Sequence, residues 1–269
     1  MQYDPVKRTL GKLFNLTPSL RILFYRLLDL LLLRSWHIRR ELRLLNKAGF
    51  APSSIADAGS GFGQYVYRLG RLFPGASITG LDIKQEQVDD CNRFFGKTGM
   101  GERVQFRYAD LTAMEASERY DLILSVDVME HIEEDRKVFG HFYQALHPGG
   151  ILLISTPSDQ GGSDVHDEHD SSFIDEHVRD GYGMEEIEEK LREAGFSEII
   201  VRYSYGRPGK LSWKLSMKIP IRLVNVSKLF LILLPVYYLL VYPVCFFLNR
   251  ADVRKVHETG TGLIVRAAK

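Results

Sequence analysis

The stretch that most constrains this chain is Ile55 to Gly63, Ile-Ala-Asp-Ala-Gly-Ser-Gly-Phe-Gly. A short apolar run ends in an acid, Asp57, and then turns through three alternating glycines, Gly59, Gly61 and Gly63, into an amphipathic segment from Gln64 to Phe73. Glycine lets a backbone turn that sharply and lets a ligand approach with no Cβ in the way. A helix starting there points its first N–H groups at that ligand. A glycine-rich turn alone suits many nucleotides. The acid two residues before the first glycine narrows the choice: a phosphate gains nothing from a carboxylate at that point, whereas a cationic amino-acid group does.

Beyond the turn, strands and helices alternate. Candidate strands are Ser54–Asp57, Ser77–Asp82, Val104–Tyr108, Tyr120–Val126, Gly150–Ser155 and Glu198–Tyr203, with a last one at Thr261–Ala267. Helical periodicity falls near Gln64–Phe73, Gln85–Gly96, Glu133–Leu146 and Met184–Ala194. Such alternation implies an α/β, Rossmann-like, mostly parallel sheet with its ligand at the carboxyl ends of the strands.

Several short motifs fall at those strand ends, and together with the glycine turn the pattern resembles the class I S-adenosylmethionine-dependent methyltransferases over about Ile55 to Tyr203 plus the last strand. The resemblance implies S-adenosyl-L-methionine as cofactor and a seven-stranded sheet whose last strand runs antiparallel between the fifth and sixth. It implies that Asp57 faces the cofactor's amino group above Gly59, Ser60, Gly61 and Gly63. Asp82, in Gly-Leu-Asp-Ile, would take both ribose hydroxyls, with Ile83 against the adenine. Asp110, in Tyr-Ala-Asp-Leu, would accept from the adenine amino group beside Leu111. Asp127, in Ser-Val-Asp-Val-Met-Glu-His-Ile, would lie at the reacting end. Leu-His-Pro-Gly-Gly-Ile-Leu-Leu-Ile-Ser-Thr-Pro resembles the family's turn into its fifth strand.

Methyl transfer needs the nucleophile and methyl held in line, and needs a base only where the acceptor carries a proton of high pKa. The loop after the fifth strand holds His166, His169 and His177 among many acids. His177 is the candidate general base, with Arg179 and Tyr182 as acceptor contacts. Glu130 and His131 match a pair often found after the family's fourth strand, where they serve as a turn anchor or a catalytic pair. His166 and His169 have a spacing that permits a metal, but solvated loop charge is the favoured reading and no metal site is assigned.

The net charge of +1 hides an asymmetry: residues 1–50 carry +7, residues 51–201 carry −16 and residues 202–269 carry +10. An acidic centre argues against nucleic acid as partner. The basic ends are also the most apolar parts, a combination suited to an anionic membrane surface. Three regions follow: basic amphipathic helices over 1–50, the catalytic domain over 51–203 and 260–269, and an apolar, basic insertion over 204–259. The first region is expected to hold a helix opened by Thr17 and Pro18, then one from Trp36 to Ala48, which either cover the sheet or touch the membrane. No cleavable signal is expected there.

In the insertion, Leu229–Leu248 is uncharged, rich in Tyr and Phe, and interrupted by Pro235 and Pro243. A single crossing would put the last strand on the wrong side of the bilayer. A kinked, re-entrant or interfacial helix pair is therefore expected, with Tyr237, Tyr238 and Tyr242 near the headgroups. Lys210–Leu223 shows both a strand-like period of two and a helical stripe of cations four apart; a basic amphipathic helix is favoured. A dimer interface or a lid is the alternative use of the insertion.

Two cysteines make no disulfide framework. The expected function is methyl transfer to an amphiphilic or lipid-like acceptor at the cytoplasmic face of a membrane, in a peripheral or monotopic protein. The acceptor atom and oligomeric state stay open. The competing readings are a membrane-bound nucleotide-binding module without transferase activity, and an NAD-dependent oxidoreductase. The latter has no use for Asp57.

Overall fold

The computed structural model describes residues 17–114, 119–161 and 178–269. Two helices come first, α1 (Pro18–Leu31) and α2 (Leu33–Lys47). They are followed by β1 (Ser54–Ala58), α3 (Gln64–Leu72), β2 (Ser77–Asp82), α4 (Gln85–Gly96), β3 (Val104–Tyr108) and β4 (Tyr120–Val126). Next come α5 (Asp135–Ala145), β5 (Leu146–Pro157), α6 (Met184–Ala194) and β6 (Glu198–Ser204). An insertion of α7 (Arg207–Trp213), a π-helical turn (Lys214–Lys218), α8 (Ile219–Val226) and α9 (Phe230–Arg254) precedes β7 (Gly262–Ala268).

The seven strands are ordered β3-β2-β1-β4-β5-β7-β6, with β7 antiparallel to both its neighbours. The antiparallel last strand thus occupies the slot expected from the sequence. Strand alternation splits the core in two. Ile55, Leu122, Leu124 and Ile264 pack beneath α2, α3 and α4, while Ala56, Ile123, Leu152 and Val265 pack beneath α5 and α6. Because β1 lies between β2 and β4, the carboxyl ends of these strands flank the point where the chain reverses its progress across the sheet, the usual ligand crevice of such folds.

The first helices cover the domain. Thr17 caps α1 by accepting from Leu20 N–H at 3.3 Å, and Pro18 follows it, as the sequence predicts. Arg21, 3 % exposed, donates to Asp90 at 2.5 Å and to the Phe62 carbonyl at 2.7 Å, and Tyr25 donates to the same carbonyl. One buried cation thereby ties α1 to the glycine turn and to α4.

The insertion departs from expectation in one respect. Leu229–Leu248 is not itself a helix pair, because α9 runs as one helix of 25 residues with both prolines inside it. Its partner is the preceding run 207–226, helical throughout, which settles the strand-or-helix ambiguity in favour of helix. The two pack antiparallel: Gly209 N–H donates to Asp252 at 2.9 Å, Ser212 Oγ to the Cys245 carbonyl at 3.4 Å, and Tyr238 Oη to the Ser216 carbonyl at 2.7 Å. Both ends of this hairpin therefore lie at the sheet. The hydroxyls of Tyr237 and Tyr238 donate at 2.7 Å to backbone carbonyls of the partner helix and so line the seam between helices.

The hairpin is rooted by Asp252, which is fully buried. Its carboxylate meets His37 Nε2 at 2.9 Å and accepts from the N–H groups of Gly209 and Tyr205 at 2.9 and 3.2 Å. His257 Nε2 lies 3.3 Å from its other oxygen. Burial holds the His37 imidazole below its ordinary pKa, against the pull of Asp252. Asp252→Ala strands several buried donors at once and is expected to cost about 3–5 kcal/mol, read as a lower urea midpoint. Asp252→Asn, which keeps one acceptor oxygen, is expected to cost less.

Candidate active site

Four acids stand at the carboxyl ends of four adjacent strands: Asp57 on β1, Asp82 on β2, Asp110 after β3 and Asp127 after β4. The glycine turn is pinned beside them. Gly59 and Ser60 donate N–H bonds to the Leu81 carbonyl at 2.8 and 2.9 Å, and Gly61 N–H donates to Asp82 Oδ2 at 2.8 Å. Gly59 has φ +79, and a Cβ there would lie 2.2 Å from Val128 Cγ2, so no other residue fits without moving the β4 mouth. A Cβ on Gly61 would instead meet only Gln87 Oε1 at 3.8 Å, which leaves an open cradle above the middle of the turn.

Asp57 is 1 % exposed, and its Oδ2 has no hydrogen-bond partner among the described residues. Burial, reinforced by the Asp82 charge, pushes its carboxyl up to about 8. A buried carboxylate with an orphaned oxygen is costly unless a cation completes it. An amino-acid ammonium in the cradle does so, and the residues present therefore fit the methionine end of S-adenosylmethionine.

Asp82 Oδ1 also accepts from Lys84 N–H at 2.9 Å, which fixes the carboxylate at the end of β2 with Ile83 beside it, 54 % exposed. Asp110 accepts from Thr112 N–H at 2.9 Å and from Thr112 Oγ1 at 2.7 Å. Those bonds hold its carboxyl below the usual range and cap the short 3-10 turn that buries Leu111.

At the β4 mouth the structure adds a residue that sequence reasoning passed over. Asp127, at φ +52, forms an ion pair with Arg34 at the start of α2. Burial opposes the charge on Arg34, yet Asp127 outweighs it and the guanidinium is held above its ordinary range. The Tyr205 hydroxyl accepts from Arg34 N–H at 3.1 Å, and Tyr65 faces the same guanidinium. Glu130, 1 % exposed, accepts from Thr156 Oγ1 at 3.1 Å. Burial and the nearby Asp127 push its carboxyl above the usual carboxylate range. His131 is exposed in the 3-10 turn that follows.

Arg179 and Tyr182 are drawn away from the role the sequence suggested. Both are committed to Asp135 on α5: Arg179 by an ion pair, Tyr182 by a 2.8 Å hydrogen bond from its hydroxyl, and Lys190 joins them at 2.7 Å. Burial opposes the charge on Asp135, but these donors hold its carboxyl below the usual range. Tyr182 is fully buried. His166, His169 and His177 lie outside the described residues. Val178 donates its N–H to the Glu130 carbonyl at 3.1 Å.

Sheet order, inserted antiparallel strand and acid-bearing strand ends define a class I methyltransferase fold. A family model described as "Methyltransferase domain" matches residues 52–196, and the chain belongs to that family, with S-adenosyl-L-methionine as its cofactor. Relatives include ubiquinone biosynthesis O-methyltransferase of Paramagnetospirillum magneticum, 28 % identical over 45 % of this chain and 46 % of that protein. Sterol 24-C-methyltransferase of Eremothecium gossypii is 25 % identical over 61 % of this chain and 45 % of that protein. The chain thus spans about half the length of these curated relatives. Among solved structures, Haemonchus contortus phosphoethanolamine N-methyltransferase 2 in complex with S-adenosyl-L-methionine superposes with a TM-score of 0.53. It is 23 % identical over 81 % of this chain and 48 % of that one, a likeness of fold alone.

Proposed function

We propose that this protein transfers a methyl group from S-adenosyl-L-methionine to an amphiphilic, lipid-like acceptor at the cytoplasmic face of a membrane. The observation that carries this reading is the continuity between hairpin and site. Asp252 at the hairpin root holds the Tyr205 backbone, the Tyr205 hydroxyl accepts from Arg34, and Arg34 pairs with Asp127 at the β4 mouth. An acceptor embedded beside the hairpin would then reach the reacting end without crossing bulk water. The relatives' acceptors are chemically varied, from ubiquinone precursors to sterols, so they support the reaction class more than any one substrate.

In this reading Asp57 receives the cofactor's amino group, Asp82 the ribose and Asp110 the adenine edge. The cofactor supplies an electrophilic methyl group. The remaining task is alignment and exclusion of water, which the α1–α2 cover and the Arg34–Asp127 pair serve. His177 is the proposed proton acceptor for a hydroxyl nucleophile; among the described residues, Val178 N–H and Thr156 Oγ1 both donate to Glu130 and brace the turn after β4.

The test is methyl-labelled cofactor incubated with the protein and a total membrane-lipid extract in mixed micelles, beside a panel of water-soluble acceptors. Label is expected in the organic phase. Label confined to water-soluble products overturns the acceptor class, and no transfer to any acceptor by protein that binds cofactor overturns the activity.

A further inference from the structure

We infer that the hairpin lies flat in the interface of an anionic bilayer, with α9 as its submerged layer and the 207–226 helix riding above it at the phosphates. The inference rests on the membrane reading above and adds orientation and lipid charge to it.

The two faces of the hairpin differ in charge. The seam positions of the upper helix, Gly209, Ser212 and Ser216, are buried against α9. Away from that seam the upper helix exposes Lys210, Lys214 and Arg222, with Lys218 half-buried and Leu211 and Ile221 among them. On α9, the face away from the seam carries Ile232, Val236, Leu239, Leu240 and Phe247, between 59 and 75 % exposed. The helix is long and apolar enough to cross a membrane, with a mean hydropathy of 2.3 and 6 % of its most apolar window buried.

Those facts choose between two ways of entering a bilayer. A hairpin inserted tip-first would carry Lys214 to mid-depth, because Ser216, two residues on, touches Tyr238 near the middle of α9. An ammonium there is heavily penalised, and Lys228 at the tip would have to cross to the far headgroups. Lying flat avoids both penalties. Helices packed about 8–10 Å apart put the outer face of α9 among acyl chains and the cation stripe at the headgroups. Lysines at that level are attracted by anionic lipid. The sidedness of the pair, apolar below and basic above, has a use only in this orientation.

Depth measurement tests it. Single cysteines at Ile232, Leu239 and Phe247, and a fourth at Lys214, are spin-labelled in the full chain; native Cys91 and Cys245 are buried, so label goes to the introduced thiol. Vesicles are phosphatidylcholine with and without phosphatidylglycerol. On phosphatidylglycerol vesicles the three α9 labels are expected at one common acyl depth, with the Lys214→Cys label at phosphate level, and binding is expected to fall at least ~10-fold without the anionic lipid. Labels at 232 and 247 at opposite surfaces with 239 at the bilayer centre overturn the flat orientation, and equal binding to both vesicle types overturns the headgroup contact; either leaves membrane attachment standing. Failure to float with any vesicle overturns the membrane reading itself.

Discussion

Asp57→Asn is expected to weaken S-adenosyl-L-methionine binding by at least ~30-fold while making the ligand-free protein more stable at pH 8. Both effects have one cause. The Asp57 carboxylate is buried with one oxygen unpartnered, and its pKa stands at about 8 against an ordinary 3.8. Losing one partner of a buried charge pair costs about 2–5 kcal/mol, at least ~30-fold in Kd, measurable by calorimetry. A folded pKa raised above the unfolded one means that the stability it contributes is fully present below about pH 4 and lost as pH rises through about 8. An amide never ionises, so the variant escapes a penalty on the order of 5 kcal/mol, and its advantage should grow from about pH 4 to about pH 8 and level off above that. The same titration predicts that wild-type cofactor affinity climbs about tenfold per pH unit below 8 and flattens above it. A variant that binds normally, or an affinity flat across that range, would remove Asp57 from the cofactor site.

Excising the outer hairpin is expected to move the protein from vesicles into solution with the sheet and cofactor site intact. Ser212 and Cys245 touch across the seam at 3.4 Å, so a short Gly-Ser turn can join them and leave the root, including Gly209 and Asp252, in place. What is lost is most of the exposed apolar face: of the seven large side chains of α9 that are more than half exposed, all but Phe247 are removed. At ~1.5–3 kcal/mol per fully transferred side chain, their gross contribution to partitioning is roughly 9–18 kcal/mol, enough to dominate attachment. Sedimentation with vesicles reads the partitioning, and thermal unfolding and cofactor titration of the same sample verify that the domain survives. Persistent sedimentation would shift attachment to the arginines of α2.

The legible parts of this protein were those written in short spans of chain. The turn at Gly59, Gly61 and Gly63, the acids at the ends of β1 to β4 and the alternation of the core strands each depend on neighbours within a few residues, and the structure places them as read. Arg34 was not legible. In sequence it is one arginine among several on a basic helix, and its partner Asp127 lies 93 residues away. The same holds for Asp252 and His37, 215 residues apart, and for the donors Arg179, Tyr182 and Lys190 that converge on Asp135. Nor do Tyr237 and Tyr238 show from sequence that their hydroxyls bond the backbone of a helix 22 residues earlier.

The sequence by itself determined the sheet, the cofactor turn and the presence of an apolar, basic insertion, because backbone conformation and hydrophobic period are local properties that a linear chain displays. Tertiary structure alone decided that the insertion is one antiparallel hairpin, that its root connects to Asp127 at the β4 mouth through Tyr205 and Arg34, and which acids are left without a protein partner. Pairing between distant charges depends on where the folded chain brings them and on how much water it removes, and neither is written in the order of the residues.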